Sequence, residues 1–152
     1  YNLREVEWVV GCGMLINLDK YKNEKLFDED FFLFWEETDL CLRTINKGGK
    51  VYMSDDLKIN HLGFKSSQLK DELSLLKLRN WHYMWSYFYF HKKNFSYFTS
   101  LRKTFGRLIR SIIRIIFYSL IFKKKDRIIY TYRLLGLINS MIGNKSSYRI
   151  ED

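Results

Sequence analysis

A chain of 152 residues that is 47% hydrophobic and 18% aromatic has room for one domain plus an appendage, and its two cysteines exclude a disulfide framework or a cysteine metal cluster. Cys12 and Cys41 both sit in apolar contexts and read as buried thiols. The formal charge of +9 is unevenly placed: residues 1–72 carry 10 Lys and Arg against 14 Asp and Glu, whereas residues 73–152 carry 16 against 3. Such an asymmetry points to a polyanionic partner for the basic part, either nucleic acid or an anionic membrane surface.

In chain order, the apolar segments Val6–Val10 and Met14–Ile16 predict strands, joined by Gly11-Cys12-Gly13, where small residues permit close backbone approach. Asn17 or Asp19 is placed to cap a short helix through Lys25. Glu36–Lys47 reads as a helix with an acidic first turn, which the helix dipole favours, and with Gly48-Gly49 as its stop. Lys50–Ser54 and Leu57–Leu62 are short strand candidates, so residues 1–72 present a mixed α/β pattern.

From Ser66 onward the pattern is helical. Ser66 or Ser67 is placed to cap a helix predicted through Leu69, Leu73 and Leu76 to about His91, with Lys92-Lys93-Asn94 as its break. Its aromatic run from Trp81 to Phe90 suits a membrane–water interface, or else a helix packed on its own domain. A second helix spans roughly Tyr97–Phe122. Lys103, Arg107, Arg110 and Arg114 recur along one face, while Leu101, Phe105, Leu108, Ile112, Ile115 and Ile116 keep the same rhythm on another. Its longest uncharged apolar run, Ile115–Phe122, falls well short of the ~20 residues that a bilayer span requires. With Lys123-Lys124-Lys125 and Arg127 following, this helix is expected to lie on an anionic membrane, each nearby basic side chain contributing about 1 kcal/mol. A last helix is predicted over about Asp126–Ile142, ending at Gly143-Asn144.

The chemistry concentrates in Phe31-Phe32-Leu33-Phe34-Trp35-Glu36-Glu37-Thr38-Asp39-Leu40-Cys41, where three carboxylates stand behind an aromatic run at a helix start. A site that takes a proton from a hydroxyl needs such groups. Their mutual repulsion raises the pKa of at least one, which makes it a better base near neutral pH. The alternative is that Glu36 and Glu37 only favour the helix N-terminus and Asp39 is a solvated neighbour.

Four segments in order, Trp8-Val9-Val10-Gly11-Cys12-Gly13-Met14-Leu15-Ile16, Phe27-Asp28-Glu29-Asp30-Phe31-Phe32, the Glu36-Glu37-Thr38-Asp39-Leu40-Cys41 block, and His61-Leu62-Gly63-Phe64-Lys65-Ser66, resemble the C-terminal half of the catalytic domain of family 2 glycosyltransferases of the rhamnosyltransferase-like kind. The resemblance covers under half of the chain and implies an α/β fold: the C-terminal half of a GT-A (Rossmann-like) domain over residues 1–72, followed by an amphipathic α-helical tail over residues 73–152. It implies transfer of a sugar from a nucleotide-sugar donor, with inversion, to a saccharide or lipid-linked acceptor in surface polysaccharide assembly at the cytoplasmic face of the cell membrane. Glu37 is then the general base, with Glu36 or Asp39 sharing the role, at the position where similar enzymes often carry the Asp of a Glu-Asp-x-Asp block.

The same resemblance gives Trp35 and Trp8 to acceptor stacking, Lys65 and Ser66 to donor phosphate, and His61, 24 residues after Glu37, to a divalent metal, Mn²⁺ or Mg²⁺. No Asp-x-Asp motif precedes Trp8, so the chain is expected to be a C-terminal fragment lacking the donor-binding half and inactive by itself. The competing reading is a non-catalytic basic helical module that binds anionic membrane or nucleic acid. The broad aliphatic face beside the basic residues of the second helix favours lipid over nucleic acid. His82 and His91 are given no chemistry.

Overall fold

The computed structural model describes residues 2–22, 24–60 and 72–150. The elements are Leu3–Glu5 (β1), Glu36–Asn46 (α1), Tyr52–Ser54 (β2), Glu72–Asn94 (α2), Tyr97–Leu120 (α3) and Lys124–Met141 (α4), with 3-10 turns at Gly11–Gly13 and Leu18–Tyr21. Of the described residues 61% are helical and 4% are in strands, which overturns the α/β expectation of a Rossmann-like half-domain.

The error has a physical origin. A strand exists only as one side of a hydrogen-bonded ladder. Among the described residues the one ladder is the antiparallel pair β1–β2, in the register Leu3↔Ser54, Arg4↔Met53 and Glu5↔Tyr52. Among the described residues, the apolar runs at Val6–Val10 and Met14–Ile16 satisfy the pattern without acquiring a partner strand beyond one bond from the Val6 amide to the Val51 carbonyl, and Leu15 is almost wholly exposed. The helix foreseen up to Lys25 is a single 3-10 turn, in which the Asn17 side chain accepts from the Asp19 amide.

The contacts divide the chain into two compact units, one of residues 1–29 and 36–68 and the other of residues 30–35 and 69–152. In the first, α1 begins with Glu36, Glu37 and Asp39 and ends where Gly48, at φ 80°, turns the backbone so that its amide bonds the Ile45 carbonyl. Arg43 ties this helix to the preceding loop through the carbonyl of Leu26 at 2.6 Å. Leu40 and Cys41 are buried, whereas Cys12 is exposed, contrary to the expectation of two buried thiols.

In the second unit α2 is central and buries Trp81, His82, Met84, Trp85 and Phe88. Met84, Phe88 and Leu137 form its innermost cluster, with Leu101, Leu108 and Met141 packed around them. Segment 30–35 lies along α2, with Phe31 against Tyr89, Phe34 against Tyr83, and the Leu33 carbonyl accepting from Ser86 Oγ at 2.8 Å. Gly136 lets α4 approach closely enough that a Cβ there would lie 2.1 Å from the Trp81 carbonyl oxygen.

Helix α3, capped by Ser96 accepting from the Thr99 amide, turns a face of small hydroxyl residues inward: Ser100, Thr104 and Ser111 are its buried positions. Their hydroxyls are satisfied by carbonyls of their own helix, Thr104 to Ser100 at 2.7 Å and Ser111 to Arg107 at 2.8 Å. The aliphatic seam read from the sequence is split, with Leu101, Leu108 and Ile115 partly covered and Phe105, Ile112 and Ile116 exposed. No described helix is long and apolar enough to cross a membrane.

Candidate functional site

The residues before α1 leave ordinary backbone geometry. Phe34 and Trp35 have φ of 66° and 74°, the left-handed region that non-glycine residues rarely occupy. Two such residues in succession store strain that the surrounding packing must hold, and strain of this kind collects at functional sites. The Trp35 ring supplies part of that packing, with centroids 5.0 Å from those of Tyr87 and Phe90.

Immediately after this kink come the carboxylates. Burial pushes the Glu36 carboxyl above its ordinary pKa, the neighbouring Glu37 charge pushes in the same direction, and a backbone hydrogen bond opposes both. One oxygen of Glu36 and one of Glu37, Oε2 in each case, are buried without a hydrogen-bond partner. Gly11 stands beside Glu37, and a Cβ on it would lie 3.6 Å from that of Glu37. Two neighbouring acceptors with unfilled capacity are costly to leave dry. A hydroxyl donor would satisfy them.

Asp39 is different. It is wholly buried, and Arg43 Nε donates to its Oδ2 at 2.8 Å while the same guanidinium reaches Leu26. That pairing anchors α1. Burial also pushes the Cys41 thiol upward in pKa, with a smaller contribution from the Glu37 charge. A thiol so placed is a small core residue and a poor nucleophile.

Of the other residues singled out in the sequence, Trp8 is about half exposed, whereas Trp35 is engaged by Tyr87, Phe90 and His91. His61, Lys65 and Ser66 lie outside the described residues. Among the described residues no three His, Cys, Asp or Glu side chains converge as metal ligands.

His82, to which the sequence pattern assigns no chemistry, is a functional candidate that only the fold brings out. It is fully buried in α2, with Nδ1 2.9 Å from Ser146 Oγ and Nε2 2.8 Å from the Tyr148 carbonyl. A carbonyl only accepts, so Nε2 carries the proton and Nδ1 accepts from the serine hydroxyl. These partners lie 64 and 66 residues away in the chain, and no local pattern announces them. His91, on the same helix, has a buried Nδ1 without a partner, and burial, then Lys103 and Arg107, lower its pKa.

No protein-family model matches the chain, and no curated protein or solved structure is significantly similar to it.

Proposed function

We propose that the chain carries the proton-accepting carboxylates of an inverting glycosyltransferase that takes a sugar from a nucleotide-sugar donor. The observation that carries this reading is the pair of buried, unpartnered oxygens on Glu36 and Glu37, one of them on a carboxyl whose pKa is raised. The order of sequence motifs around them supports the same assignment. In the proposed step the acceptor oxygen bonds to the anomeric carbon as the bond from that carbon to the nucleotide phosphate breaks. The phosphate oxygen leaves with the bonding electrons, and the acceptor proton passes to a glutamate oxygen. Asp39, already paired with Arg43, holds the helix on which both glutamates stand.

The acceptor we propose is a saccharide carried on lipid at the cytoplasmic face of the cell membrane, reached through peripheral association of the basic helical unit. A divalent cation for the donor diphosphate, with His61 among its ligands, belongs to the same proposal and rests on the motif order alone. The exposed apolar residues of α3 favour one second reading, a basic module that binds anionic membrane and catalyses nothing.

The test is substitution in the full-length protein, followed by release of nucleotide from a panel of nucleotide-sugar donors in the presence of a lipid-linked acceptor. Glu37→Gln, or Glu36→Gln, is expected to lower kcat by about 10²- to 10⁴-fold, the usual contribution of a positioned base, with the thermal stabilisation by donor retained. Because the raised pKa of Glu36 must be crossed before that carboxyl is ionised, activity should rise with pH above the range of an ordinary glutamate. That limb should vanish in Glu36→Gln. Turnover close to that of the wild type in both variants would remove the assignment and leave the non-catalytic reading.

A further inference from the structure

We propose that the turn between α3 and α4 is a membrane-inserting apex, with Phe122 seated among acyl chains while Lys124 and Arg127 hold lipid phosphates. This rests on the peripheral-membrane reading above and names the element that performs it.

The apex contradicts ordinary helix-ending chemistry. A residue just past a helix C-terminus in the left-handed region is normally glycine, which has no Cβ to clash. The chain obeys this after α1, with Gly48 at φ 80°, and after α4, with Gly143 at φ 85°. After α3 it places Phe122 at φ 56°. That phenylalanine is 91% exposed, and Leu120 beside it is 72% exposed. A bulky apolar residue that is strained and also turned into solvent gains nothing within the described fold, whereas lipid would cover it.

The surroundings select anionic lipid as the occupant. Phe98, Phe105, Ile113 and Ile116 continue the exposed apolar stripe along α3 toward the apex. The inward face of that helix is closed by small hydroxyl residues, so the large side chains have been left outside. No acidic residue occurs between Glu72 and Asp126. Tyr118, Phe122, Lys124 and Arg127 line one groove at the turn, which combines an apolar wall with two cations and a phenol. Lys125 takes no part, because it pairs with Glu72 at 2.8 Å. Apolar insertion beside cations at phosphate depth is how monotopic helices hold an anionic interface.

Co-flotation of the full chain with phosphatidylcholine vesicles, with and without phosphatidylglycerol, tests the proposal. The wild type is expected to float with the anionic vesicles and to be released by salt. Phe122→Gly should partition about tenfold or more weakly, the effect of withdrawing one large apolar side chain. Its melting temperature should equal or exceed that of the wild type because glycine relaxes the turn, so lost binding cannot be ascribed to unfolding. Lys124→Glu with Arg127→Glu should weaken binding by at least about fivefold per cation.

Wild-type flotation that neither variant changes would overturn the apex while leaving the membrane reading in place. Equal flotation on pure phosphatidylcholine would overturn the phosphate-holding role of the two cations. Absence of flotation would overturn both, and self-association or a shift of single-stranded RNA in that case would identify a second copy or nucleic acid as the occupant.

Discussion

Gly136→Ala is expected to destabilise the helical unit by about 4 kcal/mol or more, enough to abolish a cooperative thermal transition at ambient temperature in a marginally stable chain. The added Cβ would stand 2.1 Å from the carbonyl oxygen of Trp81, 2.9 Å from its carbonyl carbon and 3.1 Å from its Cα. All three are backbone atoms, so no side-chain rotation relieves the overlap and α4 must move away from α2. Leu137, wholly buried beside this contact, would lose its packing against Met84 and Phe88. Helix propensity alone predicts the opposite sign, since alanine is about 1 kcal/mol better than glycine inside a helix.

Gly106 supplies the control. It lies in exposed α3 with no atom within 4 Å of an added Cβ, and Gly106→Ala should stabilise by about 0.5–1 kcal/mol. Thermal or urea unfolding of the two variants measures the difference. A Gly136→Ala protein as stable as the wild type would show that the two helices do not approach as described.

The second large effect is on pH dependence. Burial, and then the charge of Arg149, press the pKa of His82 down from 6.5 to about 4, while the Tyr148 carbonyl opposes the shift. The surroundings are the rings of Trp81 and Phe32 and the Ser146 hydroxyl. A protonated imidazole would carry its charge into this dry enclosure beside the Arg149 guanidinium, and the folded state therefore disfavours it. Between pH 6.5 and about 4 the unfolded chain binds the extra proton and the folded chain does not. Stability from this group is complete above pH 6.5, declines as the pH falls, and is reduced by about 3 kcal/mol below the folded pKa.

Urea unfolding midpoints between pH 7.5 and 4 should show this decline in the wild type and a shallower one in His82→Gln, which keeps hydrogen-bonding capacity and does not titrate. His91, whose pKa is also lowered, adds a decline of the same sign in both proteins, so the difference isolates His82. Amide protection in residues 144–149, taken relative to the intrinsic exchange rate at each pH, should fall at low pH in the wild type, because that segment is held to α2 through Ser146, Tyr148 and the Asn144 carbonyl on Trp85 Nε1. Identical pH profiles for the two proteins would refute the buried neutral histidine.

At the candidate site the helix that begins with Glu36, Glu37 and Asp39 was legible in the sequence, because a helix start is written locally in acidic residues and its stop in the glycine that follows. The sequence could not separate their roles. The Arg43 that pairs with Asp39 lies one turn away on the same helix, but whether such a pair is buried depends on what covers that side. The left-handed backbone of Phe34 and Trp35 was likewise not legible, since neither residue favours it and only the packing of segment 30–35 against α2 enforces it.

By itself the sequence determined α1, α3 and α4 with their approximate ends and the end of α2, whose foreseen cap at Ser66 or Ser67 lies outside the described residues, together with the concentration of positive charge in residues 73–152 and the carboxylates at the head of α1. Helical hydrogen bonds close over four residues, so periodicity and capping residues suffice to specify them. Tertiary structure alone decided that, among the described residues, Met14–Ile16 joins no ladder and Val6–Val10 adds only one bond from the Val6 amide to the Val51 carbonyl, that α3 turns Ser100, Thr104 and Ser111 inward and leaves Phe105, Ile112 and Ile116 exposed, and that His82 docks a segment more than sixty residues away. Strand pairing, the choice of buried face and the environment of a titratable group all depend on partners distant in the chain, and a pattern of residue types does not name those partners.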